Sequence, residues 1–324
     1  MNNSEIVFIL ASIVLQATPL IIAVCGETIT ERAGVVNLSL DGTMLLAAMT
    51  GFVAGLKTDN LWFGFLAAAA VGGLFAFIVA FGSIRLRQSQ VAIGFVLTLL
   101  GDDLSAFLGQ NYTRLPGPTI RHIGIPLLED LPILGPIIFN QGPSVYFALV
   151  LVGLTWLLLY RTQPGLHLRG VGERPEAAFA RGVNVNKVRY LYSIVGGMLV
   201  GIAGAVYSFD IKIGWSEGHT RGLGWIALAI VIFGGWSPVR GALGALMFGA
   251  TKALANYLQG AFPGVSVVAF NSIPWLLMIA VLLLVGSEST ERVILIMPKP
   301  IQRPLRRILR VAPPMALGTT FGDR

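Results

Sequence analysis

The sequence predicts an all-α, polytopic membrane helix bundle of about nine transmembrane helices, within a range of eight to ten. Three observations carry that reading. Hydrophobic residues make up 55% of the 324-residue chain and charged residues only 12%, whereas soluble domains hold about 25% charged residues. Mean hydropathy is +0.75. The apolar residues are also gathered in runs, most of them near the ~20 residues that a spanning helix needs.

The runs are Ile6–Cys25, Ala33–Gly55, Leu61–Ile84, Val91–Leu108, Val145–Tyr160, Tyr190–Phe209, Leu223–Gly235, Gly241–Leu258 and Val265–Val285. The first is read as a retained helix and not a signal peptide, because Met1–Glu5 lacks a basic segment and the run is long for one. Leu223–Gly235 is short. The last run is expected to break at Asn271-Ser272-Ile273-Pro274, since polar or Pro-broken backbone at membrane depth needs protein or a water-filled cavity beside it.

Positive charge sets the expected orientation, with the N-terminus outside and the C-terminus cytoplasmic. Nine spans in that sense place seventeen Lys and Arg on the cytosolic side, among them Arg32, Arg85, Arg87, Arg240 and six within residues 161–189. The outer side holds five, namely Lys57, Arg114, Arg121, Lys212 and Arg221. Cytosolic loops carry the excess of basic residues. The expected organisation is a membrane domain over residues 1–286, with a cytosolic loop at 161–189, and a basic cytoplasmic tail over 287–324. The tail (Lys299, Arg303, Arg306, Arg307, Arg310) suits attraction to anionic lipid headgroups, with partner binding as the other reading. The net charge of +7 is explained by topology, so no nucleic-acid partner is expected.

Small residues recur at four-residue spacing, as Gly197 and Gly201 with Gly204 nearby, and as Gly241, Ala245 and Gly249. Helices in lipid pack closely through such stripes. Asp41, Asp102, Asp103 and Lys252 fall within predicted spans. Each costs about 2.5–3.5 kcal/mol at a helix centre and is expected to face the bundle interior or water. The Asp102-Asp103 pair is either structurally satisfied or on a permeation path. Lys252 either pairs with an acid or reaches outward. Asn37 and Asp41, four residues apart, are expected on one face of a helix.

The chain shows no chemistry of its own. The single Cys25 excludes an intrachain disulfide and a multi-thiolate metal site. His122, His167 and His219 are scattered, without metal-ligand spacing, and are expected at loops or the surface. No G-x-x-x-x-G-K-[ST] segment is present to cradle ATP phosphates. No catalytic residues, metal or bound cofactor are expected, and the chain is not read as an enzyme.

One polar stretch stands apart, Gly165 to Gly182, a basic insert between two apolar runs. Pro175 suits a first helical turn, Glu176 favours the positive end of the helix dipole, and Ala177, Ala178 and Ala180 favour helix without bulk. Gly182 is a natural C-terminal stop. Consecutive alanines are expected to form a low-relief surface.

Three segments resemble one family. Gly26-Glu27 with Glu31-Arg32-Ala33-Gly34-Val35-Val36-Asn37-Leu38-Ser39-Leu40-Asp41-Gly42 resembles the N-terminal signature of the branched-chain amino acid, ribose and nucleoside permease group of ABC importers. Family members often carry Glu where this chain has Asp41. Leu168 to Ala178, continuing to Gly182-Val183-Asn184-Val185, resembles its cytosolic coupling loop, and Gly222 to Pro238 its late span and turn. The likeness is greatest to the shorter permease of simple-sugar and nucleoside systems. It implies a multi-pass subunit of the cell membrane that moves a nucleoside or simple sugar inward. The implied partners are an ABC ATPase that uses the ATP, a second related permease and an extracytoplasmic substrate-binding protein, besides membrane lipid. The implied ATPase-coupling residues are Glu173, Pro175, Glu176, Ala177, Ala178 and Gly182. Asn37, Ser39, Asp41, Asp102 and Asp103 are the candidates for the substrate path or its gate. An ion-coupled secondary transporter using intramembrane carboxylates is the alternative; it leaves the Glu-Ala-Ala insert unexplained.

Overall fold

Each of the nine apolar runs falls on a helix in the computed structural model, which describes residues 3–126, 128–262, 264–284 and 312–322. The helices are α1 (Asn3–Arg32), α2 (Leu40–Thr58), α3 (Leu61–Ile84), α4 (Gln90–Gly109), α5 (Pro143–Arg161), α8 (Val185–Val206), α9 (Leu223–Phe233), α10 (Pro238–Ala261) and α11 (Val267–Leu284). Two more, α6 (Gln163–Glu173) and α7 (Pro175–Ala180), form the polar insert. A two-residue antiparallel ribbon, Ile123–Gly124 on Asn140–Gln141, ties the long loop before α5. The basic tail residues Lys299 to Arg310 lie outside the described residues.

Five helical stretches are long and apolar enough to cross a membrane among the described residues: Glu5–Arg32, Leu61–Ile84, Gln90–Tyr112, Pro143–Arg161 and Val185–Ile211. The chain is a multi-pass membrane protein.

Three boundaries differ from the sequence reading. α1 does not end at Cys25 but runs on through Glu27 and Glu31, which are both buried. Hydropathy stops at the first carboxylate, whereas the helix continues because the folded bundle supplies partners for it. Residues 33–39 are a turn and not helix. Their backbone is bound elsewhere: Val36 N–H donates to Gln90 Oε1 at 2.7 Å, Asn37 N–H to Glu27 Oε1 at 3.3 Å, and Thr98 Oγ1 donates to Leu38 O at 2.7 Å. Asn37 therefore does not share a helix with Asp41. Finally, α11 is continuous through Pro274.

The glycine stripes face other helices. α8 packs along α1, α2 and α3, and α10 along α1. A methyl group on Gly197 would collide with the Gly72 carbonyl, and one on Gly201 with the Ala68 carbonyl, so α3 and α8 touch backbone to backbone. On α10, Gly249 lies against Ile13 O and Gly241 against Val24. Close contact of this kind is the main source of helix attraction in lipid.

Candidate functional site

Polar side chains in a membrane bundle cost free energy unless they serve a cavity or a partner, so their positions locate the site. α10 carries Lys252, Asn256 and Gln259 at i, i+4 and i+7, one helical face. That face, with Gln16 of α1, Tyr207 and Trp275, lines a cavity of about 560 Å³. Among the described residues Lys252 forms no ion pair with an acid, and its side chain turns to Tyr207. Its Nζ lies 3.4 Å from the Tyr207 hydroxyl and 5.7 Å from that ring's centroid. His219, Arg221 and Leu223 complete one wall.

His219 lies in the turn before α9, where its ring is half-buried. Its ring stacks on Tyr207 at 5.5 Å between centroids. Nε2 lies 3.1 Å from Ser208 Oγ, and Nδ1 meets both the carbonyl and the N–H of Ser216. Either neutral tautomer thus finds a partner on each nitrogen. Burial pulls its pKa down to about 4, outweighing the upward pull of the Ser216 hydrogen bond, while nearby Lys212 lowers it further. The ring stays uncharged at neutral pH, and the positive charge around the cavity is carried by Lys212, Arg221 and Lys252.

The short helix α9 leads from this wall to the α9–α10 turn, which meets the end of α1. At the N-terminus of α9, Asp41 Oδ1 accepts from Gly222 N–H at 2.8 Å and Gly224 N–H at 3.0 Å. These are orphan helix-start donors, and a buried carboxylate there also meets the positive end of the helix dipole. Gly224 is obligatory, since a methyl group would strike the Asp41 backbone. One residue earlier, Arg221 Nη2 donates to both oxygens of Asp102 at 2.8 and 3.1 Å. Asp41 and Asp102 therefore hold the cavity wall from α2 and α4, without lining the cavity themselves. Asp103 is exposed on α4. Asn37 and Ser39 are buried and bound to one another, with Ser39 N–H donating to Asn37 Oδ1 at 3.1 Å.

At the other end of α9, Gly235 and Trp236 both have positive φ, 68° and 51°. A bulky residue in the left-handed region is strained by about 1–3 kcal/mol and persists only when its surroundings over-determine it. Here α1 does so. Glu31 accepts the Trp236 indole N–H, and Arg32 donates to Trp236 O at 3.0 Å and Gly235 O at 3.2 Å. The same guanidinium lies 3.7 Å from the Glu173 carboxylate at the end of α6. A methyl group on Gly172 would strike the Arg32 carbonyl, so α6 is seated directly on the end of α1. Arg32 joins the polar insert to the α9–α10 turn.

Within the insert, α7 begins at Pro175 and ends at Ala180, and Gly182 just beyond it has φ +82° and donates its N–H to Phe179 O at 2.8 Å. Glu176, Ala177 and Phe179 are exposed. Pro175 and Ala178 are buried, Ala178 against Val171 and Val185. Only one of the two alanines thus presents an outward surface, because a six-residue helix seated on α8 must turn one side inward. His167 is exposed on α6.

Sequence reasoning missed the roles of Arg32, Glu27 and Glu31, which look like a surface turn in a hydropathy profile. The cavity-lining stripe on α10 had a usable signal, three polar residues on one face of an apolar helix.

Residues 9–286 match the family model described as branched-chain amino acid transport system / permease component. The protein TsgC13 of Haloferax volcanii, named for a glucose ABC transporter permease, is 42% identical over 76% of this chain and 76% of its own length. The nucleoside ABC transporter permease protein NupC of Lactococcus lactis is 35% identical over 79% of this chain and 84% of its own. The guanosine ABC transporter permease protein NupQ of Bacillus subtilis is 37% identical over 78% and 84%.

Proposed function

The chain belongs to the family of branched-chain amino acid transport permease components, and on that premise we propose that it passes a nucleoside or simple sugar inward, driven by ATP hydrolysis in a separate ATPase. It is a permease subunit of an ABC transporter in the cell membrane. As such it is a translocation component and not an enzyme. The finer reading is ours: nine crossing helices, N-terminus outside, α6 and α7 in the cytosol, a second related permease beside this one, and a binding protein that delivers cargo from outside.

One observation carries the proposal. Arg32 bridges Glu173 of the insert to the strained turn at Gly235-Trp236, and the far end of that same helix walls the polar cavity. Movement of the insert is thereby delivered to the cavity through α9, a largely buried helix of 11 residues. The cavity's amide, hydroxyl and indole groups suit a hydroxyl-rich cargo, as the relatives' names for glucose and nucleosides also suggest. Asp41 and Asp102 act as gate-positioning groups in this account, and Asn37 and Ser39 support the turn behind them. In the insert, Glu173 is the link to Arg32, Pro175 and Ala178 anchor α7, and Glu176, Ala177 and Gly182 present it to the ATPase.

The test is the double variant Glu176→Ala, Gly182→Ala in the reconstituted complex. Uptake is expected to fall about tenfold or more, within the 1–3 kcal/mol usual for coupling between sites, while membrane insertion and basal ATP hydrolysis persist. Unchanged uptake would overturn the role of α7.

A further inference from the structure

Residues 312–322 return to the bundle and lie across the insert. Ala316 N–H donates to Gly172 O at 2.9 Å, and Gly318 N–H to Gly34 O at 3.1 Å. Met315 N–H donates to Glu173 Oε2 at 3.4 Å. The guanidinium of Arg189, only 1% exposed, donates from Nη1 to Thr319 O at 2.7 Å, and its Nε and Nη2 have no hydrogen-bond partner among the described residues. Phe321 packs on Phe179 of α7 with ring centroids 5.6 Å apart. The segment thus touches the turn after α1, the end of α6, α7 and the start of α8. That is too many specific backbone contacts for a tail held only by lipid headgroups.

Its side chains also extend the insert's outer surface. Met315 stands 73% exposed at the rim of a groove of about 540 Å³ formed with Leu166, Ala177 and Val183. Arg174 and Arg181 flank that groove. An apolar centre with a charged rim is the anatomy of a protein interface, and exposed apolar patches of this kind mark binding sites. Residues 161–189 hold six Lys and Arg against two Glu, so the complementary partner surface is an apolar knob with acidic flanks.

We propose that residues 312–322 are a strap that completes the ATPase seat, with Met315 touching the ATPase alongside Phe179. The inference rests on the coupling role given to α7. It goes beyond that role in making the C-terminal segment part of the interface.

The experiment compares M315C and F179C in permease assembled in nanodiscs, labelled with a water-soluble maleimide with and without the ATPase subunit. The native Cys25 is fully buried and does not compete. With the ATPase at about ten times its Kd, roughly a tenth of the permease stays free, so labelling of both positions is expected to slow about tenfold. Protection of F179C without M315C overturns the strap and leaves the coupling role of α7 standing. Protection of neither overturns both. Failure of M315C to react even without the ATPase also overturns the strap, because Met315 is then covered by lipid or by the chain itself.

Discussion

Arg32→Ala is expected to lower ATP-driven uptake by about 100-fold while the complex continues to assemble and hydrolyse ATP. The guanidinium makes two hydrogen bonds to carbonyls of the α9–α10 turn and faces the Glu173 carboxylate. A hydrogen bond to a charged group contributes about 1.5–3 kcal/mol; the half-exposed ion pair at 3.7 Å adds less than that. Losing about 3 kcal/mol of linkage corresponds to roughly two powers of ten, at 1.4 kcal/mol each. Arg32→Lys is expected to fall between, since a single ammonium lacks the planar fork that reaches both carbonyls. Uptake and ATP hydrolysis measured in the same proteoliposomes check this. Full uptake in the Ala variant would remove α9 from the coupling route.

Asp41→Ala carries the second large effect. Two buried N–H groups at the start of α9 lose their acceptor, at about 1–3 kcal/mol each, and the helix dipole loses its counter-charge. The expected result is a clearly lower melting temperature and loss of uptake. Asp41→Asn keeps an oxygen where Oδ1 stands and forfeits mainly the charge, about 0.3–1 kcal/mol, so it is expected to restore melting and most of the uptake. The contrast separates a positioning role from direct handling of cargo or cations. If the Asn variant is as inactive as the Ala variant while melting normally, the carboxylate charge itself is required, and the positioning account of Asp41 is wrong.

The sequence announced the elements better than their connections. Nine apolar runs matched nine helices because hydropathy and helix length are local properties. The glycine stripes at 197/201 and 241/249 pointed at real interfaces, since only close backbone approach explains them. Pro175 and Gly182 marked α7 correctly through ordinary start and stop chemistry. The failures share one cause, contact across long sequence separation. The roles of Glu27 and Glu31 were not legible because their partners at Asn37 and Trp236 are brought near only by folding. Asp41 could be read only as a polar residue inside a span, because the helix start it caps lies about 180 positions away. Nothing local in Met315-Ala316-Leu317-Gly318 reveals that Gly172 and Gly34 await the backbone donors of the final segment. Lys252 alone looked like an isolated cost; with Asn256 and Gln259 it is a face.

The energy source is the claim on which the rest depends. The decisive measurement is uptake into proteoliposomes containing this chain and its permease partner, with and without the ATPase and ATP, before and after ion gradients are collapsed by ionophores. Uptake that requires both the ATPase and ATP and is indifferent to ionophores is the predicted result. Accumulation driven by an ion gradient in this chain alone would contradict it.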